Sequence, residues 1–193
     1  MNAGNAERNH FDGLHASGLA FWMISLMHDN PLLPLVKNPG RLLQAAGLRR
    51  GQKVLEVGCG PGFFTIPASR IVGEEGVIYA TDINRRAIKR VEAKMRRYGM
   101  DNIKPVLGNA ADCGLQDGSI DLAFVFGMRH IAGGLGGLVS EMYRILKPGG
   151  TLSFERTTGS AARLVEDVER AGFVKTGNRG RIFLFAKGGN TAE

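Results

Sequence analysis

The chain has 193 residues, of which 44% are hydrophobic, and this is enough for one domain with a sizeable core. Its formal net charge is +7, and its two cysteines, Cys59 and Cys113, form neither a CxxC pair nor a cluster with histidine. The composition therefore indicates neither a disulfide framework nor a zinc site, and it favours a reduced protein of the cytoplasm.

The first part of the chain, residues 1–47, is helical in tendency but is interrupted by three prolines. Its apolar stretch Leu19–Met27 is shorter than the roughly 20 apolar residues that span a bilayer, and no cleavage site of a signal peptide follows it. We therefore expect one domain overall, with an N-terminal helical segment over 1–47 and a core over 48–193.

Short apolar runs without polar alternation follow, as is typical of strands buried on both faces. The predicted strands are Lys53–Val57, Val77–Thr81, Ile103–Leu107, Leu122–Phe126 and Thr151–Phe154, with a terminal hairpin of Phe173–Thr176 and Arg181–Ala186. Helical patterns lie between most of them. This alternation predicts an α/β fold with a Rossmann-like, seven-stranded, mostly parallel sheet, an antiparallel terminal hairpin strand, and helices on both faces.

Helices are expected over 63–72, around 88–98, and over 135–146. The last of these should stop at Lys147-Pro148-Gly149-Gly150, since proline cannot continue a helix and glycine tolerates the turn. Ser160 is a suitable N-cap for a final helix.

A glycine-rich turn, "VLEVGCGPGFFT", joins the first strand to the first core helix, with Gly58, Gly60 and Gly62 at every second position. A tight turn alone would also use glycine, so this spacing by itself is weak. Asp82 ends the second strand, where a carboxylate can accept hydrogen bonds from both ribose hydroxyls. Asn109 follows the third strand, where it can meet an adenine edge. Together these features predict a nucleoside ligand.

The acid Glu56 decides which nucleoside is expected. The turn reads G-x-G-x-G rather than the G-x-G-x-x-G of dinucleotide-binding proteins, and Glu56 precedes it by two residues. A carboxylate there would repel a pyrophosphate but suits a ligand with an amino group and a sulfonium. The predicted cofactor is S-adenosyl-L-methionine.

Four segments resemble, in order and spacing, the motifs of class I S-adenosylmethionine-dependent methyltransferases over roughly residues 48–187. They are "VLEVGCGPGFFT", "YATDIN", "GNAADCGLQDGSIDLAF" and "MYRILKPGGTLSF". The stretch "FGMRHIAGGLGGLVSEMYRILKPGG" is similar to the ubiquinone/menaquinone-biosynthesis C-methyltransferase-like group (methyltransferase type 11). The resemblance implies an enzyme that transfers a methyl group and releases S-adenosyl-L-homocysteine.

The resemblance also implies a set of cofactor contacts. The loop at the methionine end of the cofactor is expected to consist of Glu56, Gly58, Gly60 and Gly62. Asp82 is expected to bind the ribose, and Ile83 to pack on the adenine. The other expected adenine contacts are Asn109 and Ala110, and the expected wall beside the methyl group is Phe126 and Gly127.

The acceptor site is expected from residues 10–36, because the chain lacks the long insert that shapes the acceptor pocket in the C-methyltransferase group. Phe21, Trp22 and His28 could form a lid that excludes water, although an apolar helix packed on the sheet or a dimer contact stays open. His130 is the candidate base and Arg129 could hold an anionic acceptor, with a structural histidine and a surface ion pair as the alternatives.

The predicted reaction is therefore in-line methyl transfer to a small or lipophilic acceptor that is quinone-, phenol- or lipid-like. Two alternatives stay open, namely an RNA methyltransferase that uses the basic surface and a non-catalytic S-adenosylmethionine-binding protein. Against RNA, the strand-four end lacks the Asn/Asp-Pro-Pro-aromatic run of exocyclic-amine methylation. A peripheral membrane contact and a homodimer are further expectations that the sequence leaves open.

Overall fold

The structure, a computed structural model, describes residues 38–128, 131 and 134–188. Its five helices, numbered within the described residues, are α1 Pro39–Ala45, α2 Thr65–Val72, α3 Arg85–Tyr98, α4 Gly134–Ile145 and α5 Ala161–Arg170. Its strands are β1 Lys53–Val57, β2 Val77–Asp82, β3 Ile103–Leu107, β4 Ile120–Val125, β5 Leu146–Glu155, β6 Phe173–Arg179 and β7 Ile182–Lys187.

All seven strands form one sheet in the order β3-β2-β1-β4-β5-β7-β6. The first five strands pair in parallel, and β7 pairs antiparallel with both β5 and β6. The predicted fold class is thus confirmed. The antiparallel strand lies one place inside the edge, because the hairpin inserts β7 next to β5 and leaves β6 outermost.

The sheet separates two apolar cores, which explains why its strands read as continuous apolar runs. Along β1, Val54 faces the core beneath α1, α2 and α3, whereas Leu55 faces the core beneath α4 and α5. This alternation places Glu56 on the same side as α2, and that position determines its partner in the site.

Several predicted boundaries differ from the structure, and two of the differences have a clear physical cause. Helix α4 ends at Ile145, and Leu146 starts β5, where it is fully buried and pairs with Ile120 of β4. The hairpin turn is shorter than Gly177-Asn178-Arg179-Gly180 suggested, because Arg179 still pairs with Ile182. Gly180, at a φ of 60°, supplies the backbone conformation that a two-residue turn requires.

Helix α1 packs on the core through Leu43, which has no exposed surface. Arg179 of β6 donates from Nη1 to the carbonyls of Gln44 and Ala45 at 3.2 and 3.1 Å, which satisfies the carbonyl end of this short helix. The division at residue 47 stays a prediction. Among the described residues, no helix is long and apolar enough to cross a membrane.

Candidate functional site

The strand order reverses between β1 and β4, which makes the carboxyl ends of these strands the expected ligand site of an open α/β sheet. The glycine turn follows β1 at this edge, and Asp82 is the last residue of β2. Asn109 lies just beyond β3 and Gly127 just beyond β4. The structure therefore brings the predicted cofactor residues to one edge of the sheet.

The glycine turn needs its glycines for two different reasons. Gly58 has a φ of 71°, and a Cβ there would lie only 2.9 Å from the sulfur of Met128, so the turn packs closely against the chain after β4. Gly60 has a φ of 51°, but a Cβ there would meet no atom of the described residues within 4 Å. The backbone at Gly60 thus borders open space that a ligand can fill.

Asp82 is joined directly to that turn. Its Oδ2 accepts a hydrogen bond from the N–H of Gly60 at 2.9 Å, and its Oδ1 accepts one from the N–H of Asn84 at 2.8 Å. These two bonds fix the orientation of the carboxylate beside the turn. Ile83, next along the chain, is 59% exposed and offers an apolar surface beside it.

Glu56 is buried beneath the turn, with only 2% of its surface exposed. Its Oε2 accepts a hydrogen bond of 2.6 Å from the hydroxyl of Thr65, the first residue of α2. Burial raises the pKa of Glu56 to about 8, with the Thr65 hydroxyl opposing this shift and the nearby Asp82 carboxylate adding to it. Alone at neutral pH the carboxyl is mainly protonated, and a neighbouring cation would favour its ionisation.

Cys59 lies in the same turn and is not a nucleophile. Burial, followed by the negative charges of Glu56 and Asp82, raises the pKa of its thiol far above the usual range. A thiol that stays protonated in this way is a small packing group.

The loop after β3 is held by a partly buried ion pair that the sequence did not reveal. Asn109 Oδ1 accepts from the N–H of Ala111 at 3.0 Å, which shapes the start of the loop. Further along, Glu141 of α4 accepts from the N–H of Cys113 at 3.0 Å and from Nε of Arg144 at 2.8 Å. The i,i+3 spacing of Glu141 and Arg144 was the available signal.

At the end of β4, the side chain of Phe126 packs into the core. Phe126 is 4% exposed and packs edge-on against Phe64, with ring centroids 5.4 Å apart. Its ring therefore lies in the core, and its role beside the methyl group stays a prediction. Gly127 is exposed, and its N–H donates to Oε2 of Glu155 at 2.9 Å, which ties the ends of β4 and β5 together.

The predicted base and acceptor residues are not part of this geometry. Arg129, His130, Phe21, Trp22 and His28 all lie outside the described residues. Their roles stay predictions.

A cavity of about 440 Å³ opens at the other end of the strands and is a poor candidate. Gln52 precedes β1, and Asp121 and Thr151 lie near the starts of the paired stretches of β4 and β5, so the cavity is at the amino edge of the sheet. Parallel α/β sheets bind ligands at the carboxyl edge instead.

A model of the ubiE/COQ5 methyltransferase family matches residues 37–166, about two thirds of the chain. The chain belongs to this family. Membership confirms the superfamily predicted from the sequence, since the matched range includes the glycine turn, Asp82 and the loop after β3.

Curated relatives agree with this assignment. The chain is 39% identical over 112 residues to the ubiquinone/menaquinone biosynthesis C-methyltransferase UbiE of Psychromonas ingrahamii, covering 57% of this chain and 44% of that protein. It is 33% identical over 110 residues to the demethylmenaquinone methyltransferase of Geobacillus stearothermophilus, covering 56% and 47%. The match thus spans less than half the length of either relative.

The fold also recurs in solved structures. A SAM dependent methyltransferase from Aquifex aeolicus superposes with a TM-score of 0.70 at 24% identity, covering 85% of this chain and 96% of that one. At that identity the likeness establishes the fold alone.

Proposed function

We propose that this protein is an S-adenosylmethionine-dependent methyltransferase that acts on a lipophilic, quinone-like acceptor. The observation that carries the proposal is the hydrogen bond from the N–H of Gly60 to Asp82. It joins the turn expected to hold the methionine end to the carboxylate expected to hold the ribose. Family membership supports the same activity.

The described residues fit this cofactor. No described residue fills the space next to Gly60, and the buried carboxyl of Glu56, which has no cationic partner among those residues, lies two positions before the turn begins. A sulfonium and an ammonium would stabilise the ionised form of that carboxyl, whereas a pyrophosphate would not. Asp82 would hold the ribose hydroxyls, and Ile83 would cover one face of the adenine.

When bound, S-adenosylmethionine supplies a methyl group on a positively charged sulfur that is an excellent leaving group. The chain itself has to position the acceptor, exclude water and, where the acceptor carries a hydroxyl, remove its proton. The link from Gly127 to Glu155 fixes the edge next to the site, so that the chain after β4 is held in place. Arg129 and His130 follow two and three residues after Gly127, and we assign proton transfer to His130 and the binding of an anionic ring oxygen to Arg129.

The acceptor class is taken from the names of the relatives, a ubiquinone/menaquinone biosynthesis enzyme and a demethylmenaquinone methyltransferase. Both names refer to a quinone, and the reduced form of a quinone ring carries phenol-like hydroxyls. The apolar residues predicted for the lid, Phe21 and Trp22, suit such a ring.

Methyl transfer from labelled S-adenosylmethionine tests the proposal. We expect label on a reduced demethylmenaquinone analogue and none on transfer RNA offered under the same conditions. Label on the RNA would favour the RNA alternative, and binding of the cofactor without label on any acceptor would favour the non-catalytic one.

Asp82→Ala tests the cofactor site independently of the acceptor. Losing a charged hydrogen-bond acceptor for the ribose should weaken S-adenosylhomocysteine binding by about 10- to 100-fold in calorimetry. Asp101→Ala, which removes an exposed carboxylate outside the site, is the matched control and should bind normally. Wild-type affinity in Asp82→Ala would refute the ribose role, and tighter binding of NAD than of the sulfur nucleoside would refute the cofactor.

A further inference from the structure

The positive charge of this protein is concentrated in one short region. Residues 85–104 contain eight basic residues against two acidic ones, and they account for +6 of the net charge of +7. The basic residues are Arg85, Arg86, Lys89, Arg90, Lys94, Arg96, Arg97 and Lys104. Helix α3 carries seven of the eight, so the charge excess lies on a single element.

The charges are arranged on one side of that helix. Ala87, Ile88 and Val91 bury the opposite side against the sheet. At about 100° per residue, the side chains of Arg85, Lys89 and Arg96 lie within an arc of roughly 40° and along about 16 Å of the axis. All three are exposed. We call these three residues the basic stripe.

The first turn of this arrangement works against the stability of the helix, whereas Glu92, three residues after Lys89 and four before Arg96, has a spacing that offsets the charge of either. Arg85 and Lys89 are like charges at i,i+4, and the first turn of α3 contains no acidic residue to complement the helix dipole. Among the described residues, no carboxylate forms an ion pair with the stripe. Helix α5 has the opposite arrangement of charges, since Arg170 forms ion pairs with Glu166 at 2.7 Å and with Asp167 at 3.0 Å.

We propose that the basic stripe of α3 binds the surface of an anionic phospholipid bilayer. Phosphate headgroups supply the complementary charge, and a flat bilayer can contact the whole length of a straight helix at once. The purpose of this contact rests on the proposed function, because a lipophilic acceptor is delivered from the bilayer.

The position of the stripe relative to the candidate site supports this choice of partner. Helix α3 begins three residues after Asp82, so that the stripe starts beside the site. Leu107, which pairs in register with Asp82, is 42% exposed on the face of the sheet that α3 covers. A basic helix next to an exposed apolar residue is the pattern of an interfacial surface, and its docking would bring the carboxyl edge of the sheet close to the membrane.

RNA fits the same helix less well. Binding of single-stranded RNA usually combines phosphate contacts with aromatic rings on which bases stack. The exposed aromatic residue of this helix is Tyr98, at its far end, and the guanidinium groups of Arg70 and Arg97 lie over its ring at 5.8 and 5.5 Å from the centroid. The stripe itself contains no aromatic residue.

Co-sedimentation with vesicles tests the proposal without cofactor or acceptor, so that its outcome is separate from that of the methyl-transfer assay. Vesicles of phosphatidylcholine with phosphatidylglycerol are compared with pure phosphatidylcholine in 0.1 M salt. The triple variant Arg85→Gln, Lys89→Gln, Arg96→Gln should bind the anionic vesicles about 100-fold less tightly than wild type. The control variant Arg49→Gln, Arg163→Gln, Lys175→Gln removes equal charge from other exposed positions and should bind within a few-fold of wild type.

Three results would overturn the proposal. One is equal binding of wild type to anionic and neutral vesicles. Another is equal loss of binding in the two triple variants, which would mean that net charge acts without regard to place. A fluorescently labelled RNA oligomer is titrated in parallel, and binding of RNA by wild type without binding of vesicles would also overturn it. Thermal melts of both variants confirm that they are folded.

Discussion

Two buried glutamates of this protein, Glu56 and Glu141, are kept in opposite protonation states. Glu56 is 2% exposed beneath the glycine turn and accepts one side-chain hydrogen bond, from the Thr65 hydroxyl. Glu141 is 8% exposed on α4 and accepts from Arg144 and from both the N–H and the thiol of Cys113. The pKa of Glu56 is raised to about 8, by burial above all. The pKa of Glu141 is lowered to about 2, by its hydrogen bonds with Arg144 above all.

The difference is that Glu141 has a counter-charge within the fold, whereas Glu56 has none among the described residues. Glu141 has a guanidinium beside it, so its charge is compensated within the chain. Glu56 has no such neighbour among the described residues that contact it, and the nearby Asp82 carboxylate opposes its ionisation. A buried acid left without its counter-charge is costly to a fold, and such groups cluster at binding sites.

Removing Glu141 should produce the largest effect. Glu141→Ala leaves the buried N–H of Cys113 without an acceptor and Arg144 without its main counter-charge. Breaking a buried pair costs about 3–5 kcal/mol, and because more than a third of the Arg144 side chain is exposed we expect roughly 2–3 kcal/mol. Urea unfolding at pH 7 measures this loss.

The control for this prediction is Glu166→Ala, which breaks the exposed pair with Arg170 on α5. That change should cost less than about 0.5 kcal/mol. Similar losses in the two variants would contradict the structural role assigned to Glu141.

Glu56 should make stability fall as pH rises. Its pKa is raised in the folded state, so that between about 4.5 and 8 the folded protein holds a proton that the unfolded chain releases. In this window the free energy of unfolding should drop by about 1.4 kcal/mol per pH unit from this group. Glu56→Gln removes the titration while keeping an oxygen that can accept from Thr65.

The measurement is urea unfolding of wild type and Glu56→Gln at pH 6, 7 and 8. Subtracting one from the other cancels the groups that the two proteins share. The stability of Glu56→Gln relative to wild type should increase with pH. A difference that is constant across the three pH values would show that Glu56 is ionised throughout and would remove the contrast with Glu141.

Much of this arrangement could be predicted from the sequence because its signals are local. The bounds of β1 and β3 agree with the predicted strands, and the positions of Asp82 and the glycine turn follow from their places in the chain. Burial of Glu56 was evident from its place within a continuous apolar run. Each of these inferences uses only residues that are close together in sequence.

The partners of the two glutamates could not be predicted in the same way. Thr65 reaches Glu56 only because the turn brings α2 back over β1, and Cys113 reaches Glu141 across 28 positions of the chain. The helical pattern of α4 predicts only that Glu141 is a polar residue of the helix, because the pattern contains no information about the loop that packs on Glu141. The boundary between α4 and β5 was wrong for a related reason, since Leu146 is drawn into the sheet by its pairing with Ile120.

We expect the smallest effect on stability from removing the thiol of Cys113, which donates a hydrogen bond to Glu141. Cys113→Ala removes the contact from Sγ to Oε1 of Glu141, 3.2 Å long, but leaves the N–H of Cys113 and the guanidinium of Arg144 in place. Because burial raises the pKa of this thiol to about 11, it carries no charge at neutral pH, and its loss should cost only about 1 kcal/mol. The cost should be the same at pH 6 and pH 8, since Glu141 stays ionised across that range. Urea unfolding at the two pH values measures both quantities, and a cost that changed with pH would mean that the thiol, rather than Arg144, sets the charge of Glu141.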